Sequence, residues 1–204
     1  MYNPPAFVEA RPEELQTIMR AASLPILVSP TLNGLIATHL PLRFQAPDRL
    51  VGHVAKANPH WRDFDPNAES LAIFAAADGY VSPSWYPSKA ETGKVVPTWN
   101  YQAVHVTGRL EIVEAPGPLL EIVTGLTNVY ESPRAKPWAV SDAPDEYIAA
   151  QLKGIVGLIL HITRMEGKAK LSQNKSKADQ AGVIAGLAEE NPRLAEAMRK
   201  AQDR

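Results

Sequence analysis

The sequence predicts an α+β fold centred on an antiparallel β-barrel, and three observations carry that prediction. Short apolar runs separated by turn residues follow one another from Pro25 to Tyr86. A long stretch from Asn100 to Val113 alternates apolar with polar residues. Helical three-and-four spacing is confined to the start, the middle and the end of the chain. Strands in succession with helices set apart from them build an antiparallel barrel rather than a parallel sheet. No β-α-β alternation, G-x-G-x-x-G motif or Walker phosphate loop occurs, which disfavours a dinucleotide-binding sheet.

Leu15, Ile18, Met19 and Ala22 share one helical face after Pro12, so a short amphipathic helix is expected there. Ile26 to Val28, Leu35 to Phe44 and Leu50 to Val54 then read as strands, with Asn33-Gly34 and Pro47-Asp48 as turns between them. Leu71 to Ala76 and Tyr80 to Tyr86 continue the series. In the longest strand, Val104, Val106, Leu110 and Ile112 oppose His105, Thr107, Arg109 and Glu111, giving one core face and one wet face. A helix is expected across Leu119 to Tyr130, started by Pro116 and Pro118, and a shorter one near Pro144. A strand over Ile155 to Leu171 follows. The tail from Lys177 is helical, weakened by Gly182 and Gly186 and broken at Asn191-Pro192. The whole chain, 1–204, reads as a single domain with 177–204 as a helical C-terminal extension.

The 204 residues carry 21 Lys+Arg and 22 Asp+Glu, so the molecule as a whole has no strong field for nucleic acid, and a DNA contact needs a local patch. The basic candidate is Arg164, Lys168, Lys170, Lys175 and Lys177, with a solvated strand and turn as its plainer reading. With no cysteine there is no disulfide, thiolate metal site or thiol nucleophile, and redox chemistry needs a borrowed cofactor. No apolar run approaches the roughly 20 residues that cross a bilayer, and no basic-then-apolar leader opens the chain, so the cytoplasm is the expected compartment. The five histidines form no H-E-x-x-H pattern, no G-x-S-x-G occurs, and neither a metal nor a catalytic residue is assigned.

Three clusters mix residue types in a way a core does not require. Gly52 to Trp61 sets His53, Lys56, Asn58 and His60 behind an apolar strand, a donor set suited to a phosphate or to a surface turn. Tyr80 to Tyr86 and Pro97 to Tyr101 place Trp85, Tyr86 and Trp99 beside Ser84 and Asn100, which suits a planar ligand or aromatic packing at strand ends. Lys168 and Lys170 share a strand face before Ser172 and Gln173, suited to a phosphate or to a charged edge strand.

Taken with Met1-Tyr2 to Phe7 and Thr38-His39-Leu40-Pro41-Leu42, these segments resemble the PaiB family of FMN-binding negative transcriptional regulators. Gly52-His53-Val54-Ala55-Lys56-Ala57-Asn58-Pro59, Tyr80 to Tyr86, Pro97 to Tyr101 and Lys170-Leu171-Ser172-Gln173-Asn174 carry most of the likeness. Lys56 stands where the family pattern has arginine, which keeps a cation and loses bidentate contact. The resemblance implies an FMN-binding split barrel related to pyridoxamine-phosphate oxidase, with FMN at a homodimer interface. On that picture the ring lies along Thr38, His39, Leu40 and Pro41, and His53, Lys56 and Asn58 approach the phosphate. Ser84, Trp85, Tyr86, Trp99 and Asn100 border the ring, and Lys170, Ser172 and Gln173 complete the site, with the partner subunit as one source for them.

Two functions follow from this resemblance. One is a repressor whose dimer binds promoter DNA according to FMN occupancy or redox state. The other is a flavin-dependent oxidoreductase drawing electrons from NAD(P)H. A barrel that keeps the fold and no cofactor is a third expectation. No helix-turn-helix pattern accompanies the regulator reading, since the predicted helices are separated by strands.

Overall fold

The structure, a computed structural model, describes residues 1–22 and 24–202. Eight strands and seven α-helices occur among them, and the chain divides into two compact units. One comprises Leu24–Ile73 and Val106–Met165 and is called the barrel unit. The other comprises Met1–Ser23, Phe74–His105 and Glu166–Arg204 and is called the terminal unit. Strands β6 (Ser70–Val81), β7 (Thr98–Val113) and β8 (Ile155–Lys170) contribute residues to both.

The barrel unit also holds β2 (Ile26–Thr31), β3 (Gly34–His39), β4 (Leu42–Gln45) and β5 (Arg49–Ala55), and the sheet order is β3-β2-β6-β7-β8-β5-β4. The β2–β3, β2–β6, β4–β5 and β5–β8 pairings are antiparallel. The connection from β3 to β4 shows that this sheet curls. These strands are its two edges, yet only Leu40 and Pro41 join them. Laid flat, seven strands would hold their edges roughly 29 Å apart at the usual interstrand spacing, whereas three Cα steps reach about 11 Å. The edges must therefore approach each other, and the sheet closes toward a barrel.

Expectation and structure differ in this segment. The run from Leu35 to Phe44 was expected to be one strand and is two. Pro41 has no N–H to donate to a ladder, and the chain crosses there from one edge to the other. The pairing of Leu42 with Gly52 explains that glycine, because a Cβ on Gly52 would stand 2.5 Å from the Pro41 carbonyl oxygen. Helix α4 (Pro116–Glu131) covers one face of this unit, where its Ile122 and Leu126 pack on Val51 and Val113, and α5 (Asp145–Leu152) lies beside α4. The short α2 (His60–Asp63) was not foreseen.

In the terminal unit, β1 (Val8–Glu9) pairs antiparallel with Lys168 and Gly167 of β8. Helix α1 (Pro12–Ala21) buries Leu15, Ile18 and Met19, and Ala22, the fourth position its periodicity marked, is buried just past the helix end. The predicted tail forms α6 (Lys177–Glu190) and α7 (Pro192–Gln202), and its last two residues lie outside the described ones. Both helices belong to a core in which Val183, Leu187, Leu194 and Met198 meet Val81, Tyr86 and Leu171. The glycines that seemed to weaken α6 admit Trp85: a Cβ on Gly186 would come within 2.4 Å of the indole ring, and one on Gly182 within 2.0 Å of the Trp85 carbonyl oxygen. A short α3 (Ser88–Thr92), also unforeseen, follows Tyr86, and β6 runs unbroken where two strands were expected.

Candidate functional site

In the barrel unit the residues from Thr38 to Pro41 lie at the crossing between sheet edges. Thr38 is half-buried, His39 exposed, Leu40 buried and Pro41 half-buried. Thr38 is paired with Leu27 across β2, so the two share the inward face. The Thr38 hydroxyl is a junction. It accepts from the Asn58 amide at 3.4 Å and lies 2.9 Å from Nδ1 of His60. His60 is completely buried, and its Nε2 lies 2.8 Å from the Ser29 hydroxyl, itself 2.7 Å from that of Ser70. The Asn58 side-chain oxygen accepts the His60 backbone N–H at 2.9 Å. Five side chains from three strands and the segment after β5 thus form one buried polar chain. Burial holds the His60 imidazole below its ordinary pKa, so it is neutral and joins the chain with one N–H and one lone pair.

Lys56 opens the segment that this chain anchors. Its backbone N–H donates to the Gly154 carbonyl, and its own carbonyl accepts from the Trp61 indole at 3.0 Å and from Arg62 at 3.1 Å. Arg62 also stacks on the Trp61 ring. The Lys56 ammonium is exposed and lies 3.7 Å from Glu114. His53, two residues beyond Val51 on β5, shares the face that α4 covers. Burial lowers its pKa, and its Nδ1 is buried without a hydrogen-bond partner among the described residues. The structure therefore unites Thr38 with Asn58 and adds His60, while His53 and the Lys56 ammonium face elsewhere.

In the terminal unit the candidate residues divide into a ring surface and a brace. Trp99 is 55% exposed and meets Tyr80 edge-on with ring centroids 6.4 Å apart. Lys170 donates both to the Thr98 hydroxyl and to the Trp99 carbonyl, fixing the backbone that presents the indole. Burial lowers the Lys170 pKa, and the charges of Lys168 and Lys175 lower it further. Asn100 is completely buried. Its amide donates to the Ser172 hydroxyl at 2.8 Å, and its oxygen has no partner among the described residues. Ser172 stands at φ 65°, a left-handed turn that ends β8, and Gln173 closes it by accepting from the Leu171 N–H and donating to the Ala169 carbonyl.

The remaining aromatic candidates serve packing here. Tyr86 is 3% exposed within the core, and Trp85 lies against α6, while Ser84 is exposed and accepts from Lys89. Lys168, counted in the basic stretch, is buried, donates to the Tyr2 carbonyl and lies over the rings of Tyr2 and Tyr101. It is thus withdrawn from any DNA-facing patch.

Residues 1–164 match the family described as "Putative FMN-binding domain". The chain is 36% identical over 196 residues to "Protease synthase and sporulation protein PAI 2" of Bacillus subtilis, covering 94% of this chain and 92% of that protein. Among solved structures it is similar to conserved hypothetical protein Rv2991 of Mycobacterium tuberculosis, with a TM-score of 0.62, 11% identity and coverage of 86% and 94%. It is also similar to the FAD and heme binding protein of Mycobacterium smegmatis, with a TM-score of 0.60, 18% identity and coverage of 85% and 78%. These likenesses bear out the split-barrel fold.

FMN is the cofactor this family match indicates, and the side chains present fit it. In the terminal unit the buried Asn100 oxygen lacks a partner among the described residues, the kind of group a heterocycle rim would satisfy. In the barrel unit Lys56 would offer a cation to a phosphate, and in the terminal unit Lys170 would offer another beside the open face of Trp99.

Proposed function

Because the chain belongs to the FMN-binding domain family, we propose that it works as a cytoplasmic homodimer that binds FMN and acts as a negative regulator of transcription. The observation that carries the flavin assignment is the terminal unit's exposed indole of Trp99, held in place through its backbone by a lysine whose ammonium is partly desolvated. An aromatic face beside a cation is the surface a fused ring with a phosphate tail requires. In the dimer, the barrel unit of one copy presents Thr38 to Pro41, His53, Lys56 and Asn58. The partner copy presents Trp99, Asn100, Lys170, Ser172 and Gln173, with Ser84, Trp85 and Tyr86 behind them.

Within this assignment the chain's residues bind and orient. The His60-centred chain keeps Asn58 and Thr38 in register, and Trp61 and Arg62 clamp the carbonyl of Lys56 so that its ammonium swings from a fixed base. His53 stays neutral in its buried place and offers a hydrogen bond without a charge. FMN itself, when bound, supplies one- and two-electron redox chemistry.

The regulatory part rests on the relative named for protease synthesis and sporulation. It is tested by gel-shift and anisotropy titrations with oxidised FMN, reduced FMN and none, on promoter and random duplexes at moderate salt. A promoter preference that changes with flavin state supports the regulator. Equal binding to both duplexes in every state removes it. NAD(P)H oxidation above the free-flavin background would favour the oxidoreductase reading instead.

A further inference from the structure

An open cavity lies in the barrel unit, between α4 and α5. Helix α5 has eight residues and buries none of its side chains fully. So short a helix is marginal in water, and helices of this kind are normally held by an apolar stripe pressed into a core. Its stripe of Ile148, Ala149 and Leu152 is only partly covered, with Ala149 exposed and Ile148 and Leu152 half-buried. A cavity of about 450 Å³ lies between that stripe and Leu120 and Thr124 of α4, with Val140 at one end. A smaller cavity of about 280 Å³ lies against Leu119, Pro116 and Ile155, and Ala149 and Leu152 line both. Sharing these residues, the two make a groove along α5 whose lining is mostly apolar and includes Thr124, Asn128 and Ser141.

The charges at its ends differ. Lys153 and Lys56 stand at the smaller cavity against a single carboxylate, Glu114, whereas Asp145 lines the larger one. Lys56 is engaged by Glu114, and the Lys153 ammonium has no ion-pair partner among the described residues. A ligand that completes this groove is apolar along its length and anionic at one end only, with that end at Lys153 and away from Asp145.

We propose that the α4–α5 groove binds an unbranched aliphatic monocarboxylate, its chain packed along Ile148 and Leu152 and its carboxylate at Lys153. The full-length protein is titrated with octanoate, decanoate and decylammonium below their micelle concentrations, with and without FMN, by calorimetry. A buried methylene adds roughly 0.8 kcal/mol, so two of them tighten binding by up to about 15-fold from octanoate to decanoate. Decylammonium binds more weakly than decanoate, and Lys153→Glu reverses that order. Ala149→Trp, at an exposed position on the shared wall, abolishes decanoate binding while the melting temperature and the FMN spectrum stay unchanged. Each of three results overturns the proposal: non-saturable binding, decylammonium matching decanoate, or Ala149→Trp leaving decanoate binding intact. FMN titration of the same samples is read separately, so failure of either ligand is seen independently of the other.

Discussion

Replacing His60 by alanine cuts the polar chain at its centre, and the cost can be worked from the geometry. The wild-type imidazole is completely buried, with one nitrogen 2.9 Å from Thr38 and the other 2.8 Å from Ser29. Without it, the Ser29 hydroxyl stays buried, that of Thr38 stays half-buried, and among the described residues each keeps one side-chain partner, Asn58 for Thr38 and Ser70 for Ser29. Partial loss at two such groups costs about 1–2 kcal/mol in total, toward the low end for unsatisfied polar atoms. The ring-sized void adds about 2 kcal/mol. The sum, about 3–4 kcal/mol, lowers Tm by roughly 6–16 °C in a chain of this size. Urea unfolding and calorimetry measure it, with Ser70→Ala as a terminal control costing about 1 kcal/mol. Since His60 and Ser29 share one chain, the double variant His60→Ala/Ser29→Ala should lose less than the sum of the singles. A His60→Ala loss below about 1 kcal/mol, or full additivity with Ser29→Ala, would refute the chain as an anchor for the Asn58 segment.

The remaining predictions concern pH, packing and the flavin. Burial holds His53, His60 and His105 below the ordinary histidine value of 6.5, so below that pH the unfolded chain takes up protons that the folded chain refuses. Stability is therefore fully present above pH 6.5 and declines as the pH falls, read as a falling urea midpoint, and His60→Gln flattens the decline. Gly186→Ala gains helix propensity yet drives a Cβ into the Trp85 indole, for a net loss of about 1–2 kcal/mol that Trp85→Ala partly relieves. Lys56→Ala weakens FMN binding by about 10-fold or more in a fluorescence titration, the loss of a charge-assisted contact. Unchanged affinity would remove that side chain from the site. Trp99→Ala leaves Tm within about 2 °C because the indole is mostly exposed, while it reduces quenching of bound FMN.

Periodicity located several elements because they obey it: α1 and α4 each bury a regular stripe, and β7 alternates through its middle, whereas β8 is buried on both faces at each end and was legible as a β-rich run. The misjudged places share another cause, which is tertiary. Leu71 to Ala76 and Tyr80 to Tyr86 read as separate strands, but β6 continues between them, where the Asp78 carbonyl accepts from Asn191 and α7 comes close to Gly79. Gly182 and Gly186 look like weaknesses because Trp85, which needs their missing side chains, is distant in sequence. The same limit applies to the candidate site. The segment from Gly52 to Trp61 stood out by composition, and the structure anchors it firmly. His60 was visible in that segment as a residue, but its role was not, since Ser29 lies 31 positions away and Ser70 is reached only through Ser29. Composition likewise could not show that Tyr86 faces the core while Trp99 faces outward, because the difference depends on α6 and α7 packing over one and not the other.

Titrating the purified chain into FMN while following flavin fluorescence tests the central assignment most directly. Saturable quenching at one FMN per chain, with a perturbed flavin absorbance band, is the predicted result. Fluorescence that falls only in proportion to added protein, with the spectrum of free FMN unchanged, would contradict it.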